Sequence, residues 1–193
     1  MTRELWLHML TDLLSEHYAR KGHRLPENIR FSCGWTSSRK AAGECWSQKA
    51  SADGTFEIFV SPVYDDSLAV AGILTHELAH VASGVERKHG RLFRQCCRDV
   101  GLEGNPSSAI PGQAFNSILD GFITRLVPYP HAELARSDRK KDTTRMIKLV
   151  CPGCGYTVRT TQKWIEKGLP LCYCEPDELL SFQVAGNTNG NNV

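Results

Sequence analysis

The sequence predicts an α+β protein, with helices and a small antiparallel sheet in a larger domain over 1–130 and a much smaller domain over 146–178. Three observations carry this expectation. Apolar residues recur at helical spacing in four segments, they alternate with polar ones in three short runs between the first two helices, and four cysteines fall as Cys151-x-x-Cys154 and Cys172-x-Cys174. The length of 193 residues suits one domain of about 150 with an appendage.

Taken in order, Leu5, Trp6, Met9, Leu10, Leu13, Leu14 and Tyr18 form an amphipathic stripe that ends before Gly22, which predicts an opening helix. Ile29, Phe31, Cys33 and Trp35 alternate, 44–47 makes a second short run, and 55–60 a third after the turn signal Asp53-Gly54. Pro62 closes the sheet, and Asp65, Asp66 and Ser67 offer N-caps for a long, mostly buried helix over 68–82. Two more helices are expected, over 91–100 and over 113–126, the last bounded by Pro111 and Pro128. Residues 131–145 are polar and charged without apolar period and read as a basic linker, while 179–193 ends in Gly, Asn and Thr and reads as a partly disordered tail.

Composition excludes some functions. Hydrophobic residues make up 41% and charged residues 23%, and no window approaches the roughly 18 apolar positions of a membrane span. The N-terminus reaches Asp12 and Glu16 too soon for the apolar core of a secretory signal, so a cytoplasmic location is expected, DNA-associated if the basic segment binds nucleic acid. The formal net charge of +2 hides an asymmetry: 131–174 nets +5, which makes it the place to seek a nucleic-acid surface.

The chemistry is concentrated in His76-Glu77-Leu78-Ala79-His80, inside the long helix. Residues four apart share a helix face, so His76 and His80 can reach one Zn²⁺, and Glu77 is placed to act as general base toward the water that the metal activates. An apolar helix buries two histidines and a glutamate only at a cost that a metal would offset. A catalytic zinc takes three protein ligands, and His89 is the natural third because Ser83-Gly84 can end the helix and turn the chain back. Glu86 is the rival, in a charge cluster with Arg87 and Lys88; the metzincin pattern is excluded because Ser83 and Glu86 stand where it needs Gly and His.

On these residues the chain resembles the SprT-like zinc metallopeptidases, which include bacterial and phage-encoded proteins and the eukaryotic repair protease Spartan. The resemblance covers about 29–102: a helix and small sheet precede the five-residue motif, and the third histidine arrives as His89-Gly90-Arg91-Leu92-Phe93, similar to the family's His-Gly followed by an aromatic residue. It implies a zincin-like fold, zinc ligands at His76, His80 and His89, and a catalytic Glu77. The short chain and the short insert between second and third histidines look most like the phage and bacterial members. Spartan-like members cleave proteins crosslinked to DNA, so the resemblance implies a protein substrate, DNA-associated in some members.

Cys151, Cys154, Cys172 and Cys174 have the spacing of a zinc ribbon, with glycines at 153 and 155 permitting the tight turn. Four thiolates would close such a site, so this second Zn²⁺ is structural. The alternative is a redox pair at Cys151 and Cys154. Cys33, Cys45, Cys96 and Cys97 read as buried inert thiols. Arg159, Lys163 and Lys167 with Tyr156, Trp164 and Tyr173 suit single-stranded DNA, or else form a solvated face with Trp164 packed inside. Three functions follow as expectations: peptide hydrolysis with Glu77 as base, a non-catalytic zinc-stabilised DNA-binding or transcription-associated accessory, or an interaction module whose metal sites are both structural. The edge strand near 56–60 is expected to pair with an extended substrate.

Overall fold

A computed structural model describes residues 1–38, 40–135 and 146–185, and the chain divides into two compact units, Met1–Arg136 and Ser137–Val193. The basic run at 139–141 lies outside the described residues.

In the first unit, helix α1 (Arg3–Arg20) starts where the Thr2 hydroxyl accepts from the Leu5 amide at 3.1 Å. Trp6, Leu10, Leu14 and Tyr18 of the predicted stripe are fully buried, together with Leu7, which the spacing did not single out, whereas Leu5 is exposed. The Trp6 indole donates to the Val127 carbonyl at 2.8 Å, so its one polar atom is satisfied inside the core.

Strands β1 (Ile29–Cys33), β2 (Gly43–Trp46) and β3 (Phe56–Val60) form one sheet in the order β1-β3-β2. β2 runs antiparallel to β3, with Gly43 opposite Val60, but β1 runs parallel to β3, with Ile29 opposite Phe56. The sheet is therefore mixed, which corrects the antiparallel expectation. β3 is its centre, so 56–60 is not an edge, and β2 takes that place. The physical reason is that apolar alternation reports which face of a strand is buried, while direction and neighbour depend on where the connections run. On β3, Ile58 and Val60 are fully buried, and Glu57 accepts from Arg30 of β1 across the register at 2.5 Å.

Helix α2 (Ser67–Ser83) begins at the Asp66 N-cap, whose carboxylate accepts from the Ala69 amide at 2.8 Å. It is buried through Val70, Ala71, Leu74, Leu78 and Ala79, and Tyr18 of α1 donates to its Thr75 carbonyl at 2.6 Å. A Cβ at Gly72 would come within 2.9 Å of the Pro111 ring, so the glycine permits a close approach to that segment. Helix α3 (Arg91–Val100) ends at Gly101 in the left-handed region, φ 100°. The short strands β4 (Leu102–Glu103) and β5 (Ile110–Pro111) pair antiparallel and lead to helix α4 (Gln113–Ile123), with Phe115 and Leu119 buried. The first residues of the stretch read as a linker are docked on this unit: the Leu134 amide donates to the Pro62 carbonyl at 2.8 Å.

The second unit holds strands β6 (Ile147–Val150) and β7 (Thr157–Thr160), the single helical turn α5 (Gln162–Ile165), and strands β8 (Leu171–Cys172), β9 (Leu180–Ser181) and β10 (Gln183–Val184). Its sheets are antiparallel, ordered β10-β6-β7 and β8-β9. The core is small: Leu149, Cys151 and Phe182 are its buried residues. Phe182 and β10 lie beyond the boundary at 178 that the sequence suggested, so the start of the tail is ordered and completes this unit. A two-residue strand is too short to show a period, and only its partner β6 reveals it. Among the described residues no helix is long and apolar enough to cross a membrane.

Candidate metal centres

His76 and His80 stand one helical turn apart on α2. Gly84, at φ 93°, ends that helix in a conformation open to glycine, and a 3₁₀ turn over Val85–Arg87 brings the chain back so that His89 arrives just before α3. Ring centroids of the three histidines lie 5.3, 5.8 and 4.9 Å apart. One nitrogen from each lies within 4.8 Å of the others. An ion with metal–nitrogen bonds of ~2.0–2.1 Å would draw them to about 3.3 Å. Glu86 is exposed in the 3₁₀ turn and stands outside this group, so His89 and not Glu86 is the residue grouped with His76 and His80 where an ion could be held.

The electrostatics suit ligation. Burial, reinforced by the charge of His89, lowers His76 to about 4; burial with the charges of His76 and His89 lowers His80 to about 3. His89 is lowered too, by burial and then Arg94. All three rings are therefore neutral at pH 7, the form that binds a metal.

Glu77 is 6% exposed, and burial followed by the charge of Glu44 pushes its carboxyl up to about 8. Gly43 of β2 makes room for it: a Cβ there would lie 2.7 Å from Glu77 Oε1 and 2.8 Å from Ile73. The next residue, Glu44, accepts from the Ser37 amide at 2.8 Å and the Ser37 hydroxyl at 2.6 Å. The three histidines and Glu77 open on a cleft of about 960 Å³ whose walls include Gly43 and Cys45 of β2, Tyr64 and Ile110. Sequence reasoning missed Gly43 and Glu44. A glycine inside a strand pattern does signal close backbone approach, but what approaches is set by α2.

The raised Glu77 pKa carries a stability prediction for the chelator-stripped protein. Its folded value of about 8 lies above the ordinary 4.5, so folding keeps a proton that the unfolded chain releases. Stability from this group is complete below pH 4.5 and is lost as pH rises toward 8. Metal-free Glu77→Gln should then be more stable than metal-free wild type at pH 8, by on the order of 3 kcal/mol, and equal to it near pH 4.5. Denaturant melts across that range check it; a difference independent of pH would contradict it.

In the second unit, Sγ of Cys151 lies 3.6 Å from that of Cys174, and Cys154 lies 3.7 Å from Cys172. Bonds of ~2.3 Å to a tetrahedral ion place sulfurs about 3.8 Å apart, whereas a disulfide requires ~2.05 Å. The donor set and spacing fit a metal, and all four thiols are unpaired. The Cys154 backbone amide leads the groups that lower Cys151 to about 7, which favours the thiolate. Burial, first among the causes, raises Cys172 and pushes Cys174 to about 12, so the metal-free site favours one thiolate at Cys151. In the first unit burial raises Cys45 and pushes Cys96 to about 12 and Cys97 to about 11, so these three thiols stay protonated.

On the surface of this unit Trp164 is 56%, Tyr156 62% and Tyr173 83% exposed. The ammonium groups of Lys163 and Lys167 lie 5.7 and 5.4 Å from the Trp164 ring centre. Trp164 is thus a surface ring flanked by cations, not part of the small core. No family model, curated protein or solved structure matches the chain.

Proposed function

We propose that the chain is a zinc-dependent metallopeptidase of the SprT-like kind, a zincin-like unit followed by a zinc ribbon, acting on protein associated with DNA. The observation that carries this reading is the convergence of His76, His80 and His89 beside a buried Glu77 in one cleft. The histidines would hold Zn²⁺, and the ion when bound supplies Lewis-acid polarisation of a carbonyl and of water. Glu77 takes the proton of the attacking water and returns it to the leaving amine. Water is a poor nucleophile at neutral pH, and Glu77 sits in an environment low enough in water to make it a strong base once ionised.

β2 is one of the two edge strands of its sheet and the one that lines the cleft, which suits pairing with an extended peptide; it takes the role expected of 56–60. Cys151, Cys154, Cys172 and Cys174 would hold a second, structural Zn²⁺. The exposed rings of Tyr156, Trp164 and Tyr173 offer stacking faces for single-stranded DNA, with Arg159, Lys163 and Lys167 for its phosphates.

Cleavage of a DNA-binding protein, measured with and without single-stranded DNA, tests the whole reading: it should require zinc and rise with DNA. Replacing Arg159, Lys163 and Lys167 together by Ala should weaken DNA binding and lower the slope of log K against log salt by about 2. Unchanged affinity would remove the ribbon from DNA binding without touching the peptidase reading.

A further inference from the structure

We propose that Phe93 is the positioning residue of the trihistidine site: one ring that fixes the orientation of all three imidazoles. The inference rests on the metal-binding reading above.

Histidine ligands are ordinarily oriented by hydrogen bonds from their second ring nitrogen, and losing such a partner costs 10–100-fold in metal affinity. This site has little of that. His76 has a backbone hydrogen-bond partner in Ala109, but among the described residues the rings of His80 and His89 have none. Phe93 stands in their place. Its ring stacks on His80 with centroids 4.1 Å apart and planes 25° apart. It meets His76 edge-on at 5.2 Å and 64°, and His89 edge-on at 5.1 Å and 75°. A stacked face allows His80 to slide but not to tilt, and the two edge contacts limit rotation of the other rings.

The ring itself cannot turn away. Phe93 is fully buried and lies in the first turn of α3, which is anchored further along by buried Cys96, Cys97 and Val100. The chain also enters α3 directly from His89 through Gly90, so the element that supplies the third ligand also supplies the ring that braces the other two. α2 and α3 are thereby locked together at the metal rather than merely near it.

A structural core residue would give the same burial, so the test must separate bracing from packing. Zinc affinity of the full chain is measured by competition with a chromophoric chelator, and the phase lost in His80→Ala is assigned to this site. Phe93→Leu keeps apolar bulk and removes the ring; it should weaken that phase 10–100-fold and leave the cysteine phase unchanged. Phe93→Tyr, which retains a ring, should restore affinity to within a few-fold. The Co²⁺ form of Phe93→Leu should show a shifted visible absorption from the histidine site. Val100→Ala, a cavity in the same helix away from the histidines, should change neither affinity nor spectrum. If the leucine variant does not fold, Phe93→Met serves in its place. Affinity retained in Phe93→Leu, or lost equally in Val100→Ala, would overturn the proposal. A wild type that holds a single ion unaffected by His80→Ala would overturn the trihistidine reading and this inference with it.

Discussion

Glu77→Gln is expected to reduce peptide hydrolysis by about 10³-fold or more while zinc stays bound. The glutamine is nearly the same size, so the approach of Gly43 to this side chain and the packing on Ile73 survive. The three histidines keep their nitrogens, so the metal content should remain at two ions per chain. What disappears is the ability to accept a proton from water. Without metal, burial and then Glu44 push its carboxyl up to about 8. The nearby charge of a bound dication lowers that value and keeps the carboxylate ionised at working pH. Activity should therefore rise with pH along an acidic limb that belongs to Glu77 and vanish with it. Kinetics and metal content measured on the same preparations decide the matter. If wild type and variant are equally inert with both ions bound, the peptidase reading fails and the non-catalytic DNA-binding reading replaces it.

Substituting one ribbon cysteine should have a different and equally large effect. Cys154→Ser is expected to release one zinc and unfold the second unit, leaving the first intact. Among the described residues that unit buries Leu149, Cys151 and Phe182 almost completely, too little apolar surface to offset the chain entropy of some forty residues. Structural zinc contributes roughly 10–16 kcal/mol in comparable small domains, so most of the folding free energy here would come from the metal. Hydrogen exchange should show β6 and β7 losing protection while α2 keeps its own, and DNA binding should fall with it. Hydrolysis of a short peptide should continue, because the cleft belongs to the first unit. A second unit that stays protected without its metal would contradict the structural role of the four thiolates.

How much of this was legible beforehand depends on range. The long helix over 68–82 and the helix over 91–100 are found at Ser67–Ser83 and Arg91–Val100, since caps and apolar period are local properties. The pairing of His76 with His80 follows from the helical repeat alone. The charge cluster of Glu86 with Arg87 and Lys88 favours His89 as the third histidine, and in the structure Glu86 is exposed while a positive φ at Gly84 makes the turn that Ser83-Gly84 signals. In the sequence Trp164 suits core and surface alike, as a ring in a charged segment; its exposure shows only once the core is assembled.

The sequence by itself determined the four helices of the first unit, the last ending at Ile123 rather than 126, and the Cys151–Cys154 and His76–His80 spacings, because each depends on residues close in the chain; the single turn Gln162–Ile165 was too short to show a period. Tertiary structure alone decided that β1 lies parallel to β3, that β2 rather than β3 borders the cleft, and that Phe182 closes the second core. It also set Gly43 against Glu77 and one phenylalanine ring against three histidines. The physical reason is that contacts between residues distant in the chain are selected by how whole faces pack, and no local period encodes which face will meet which.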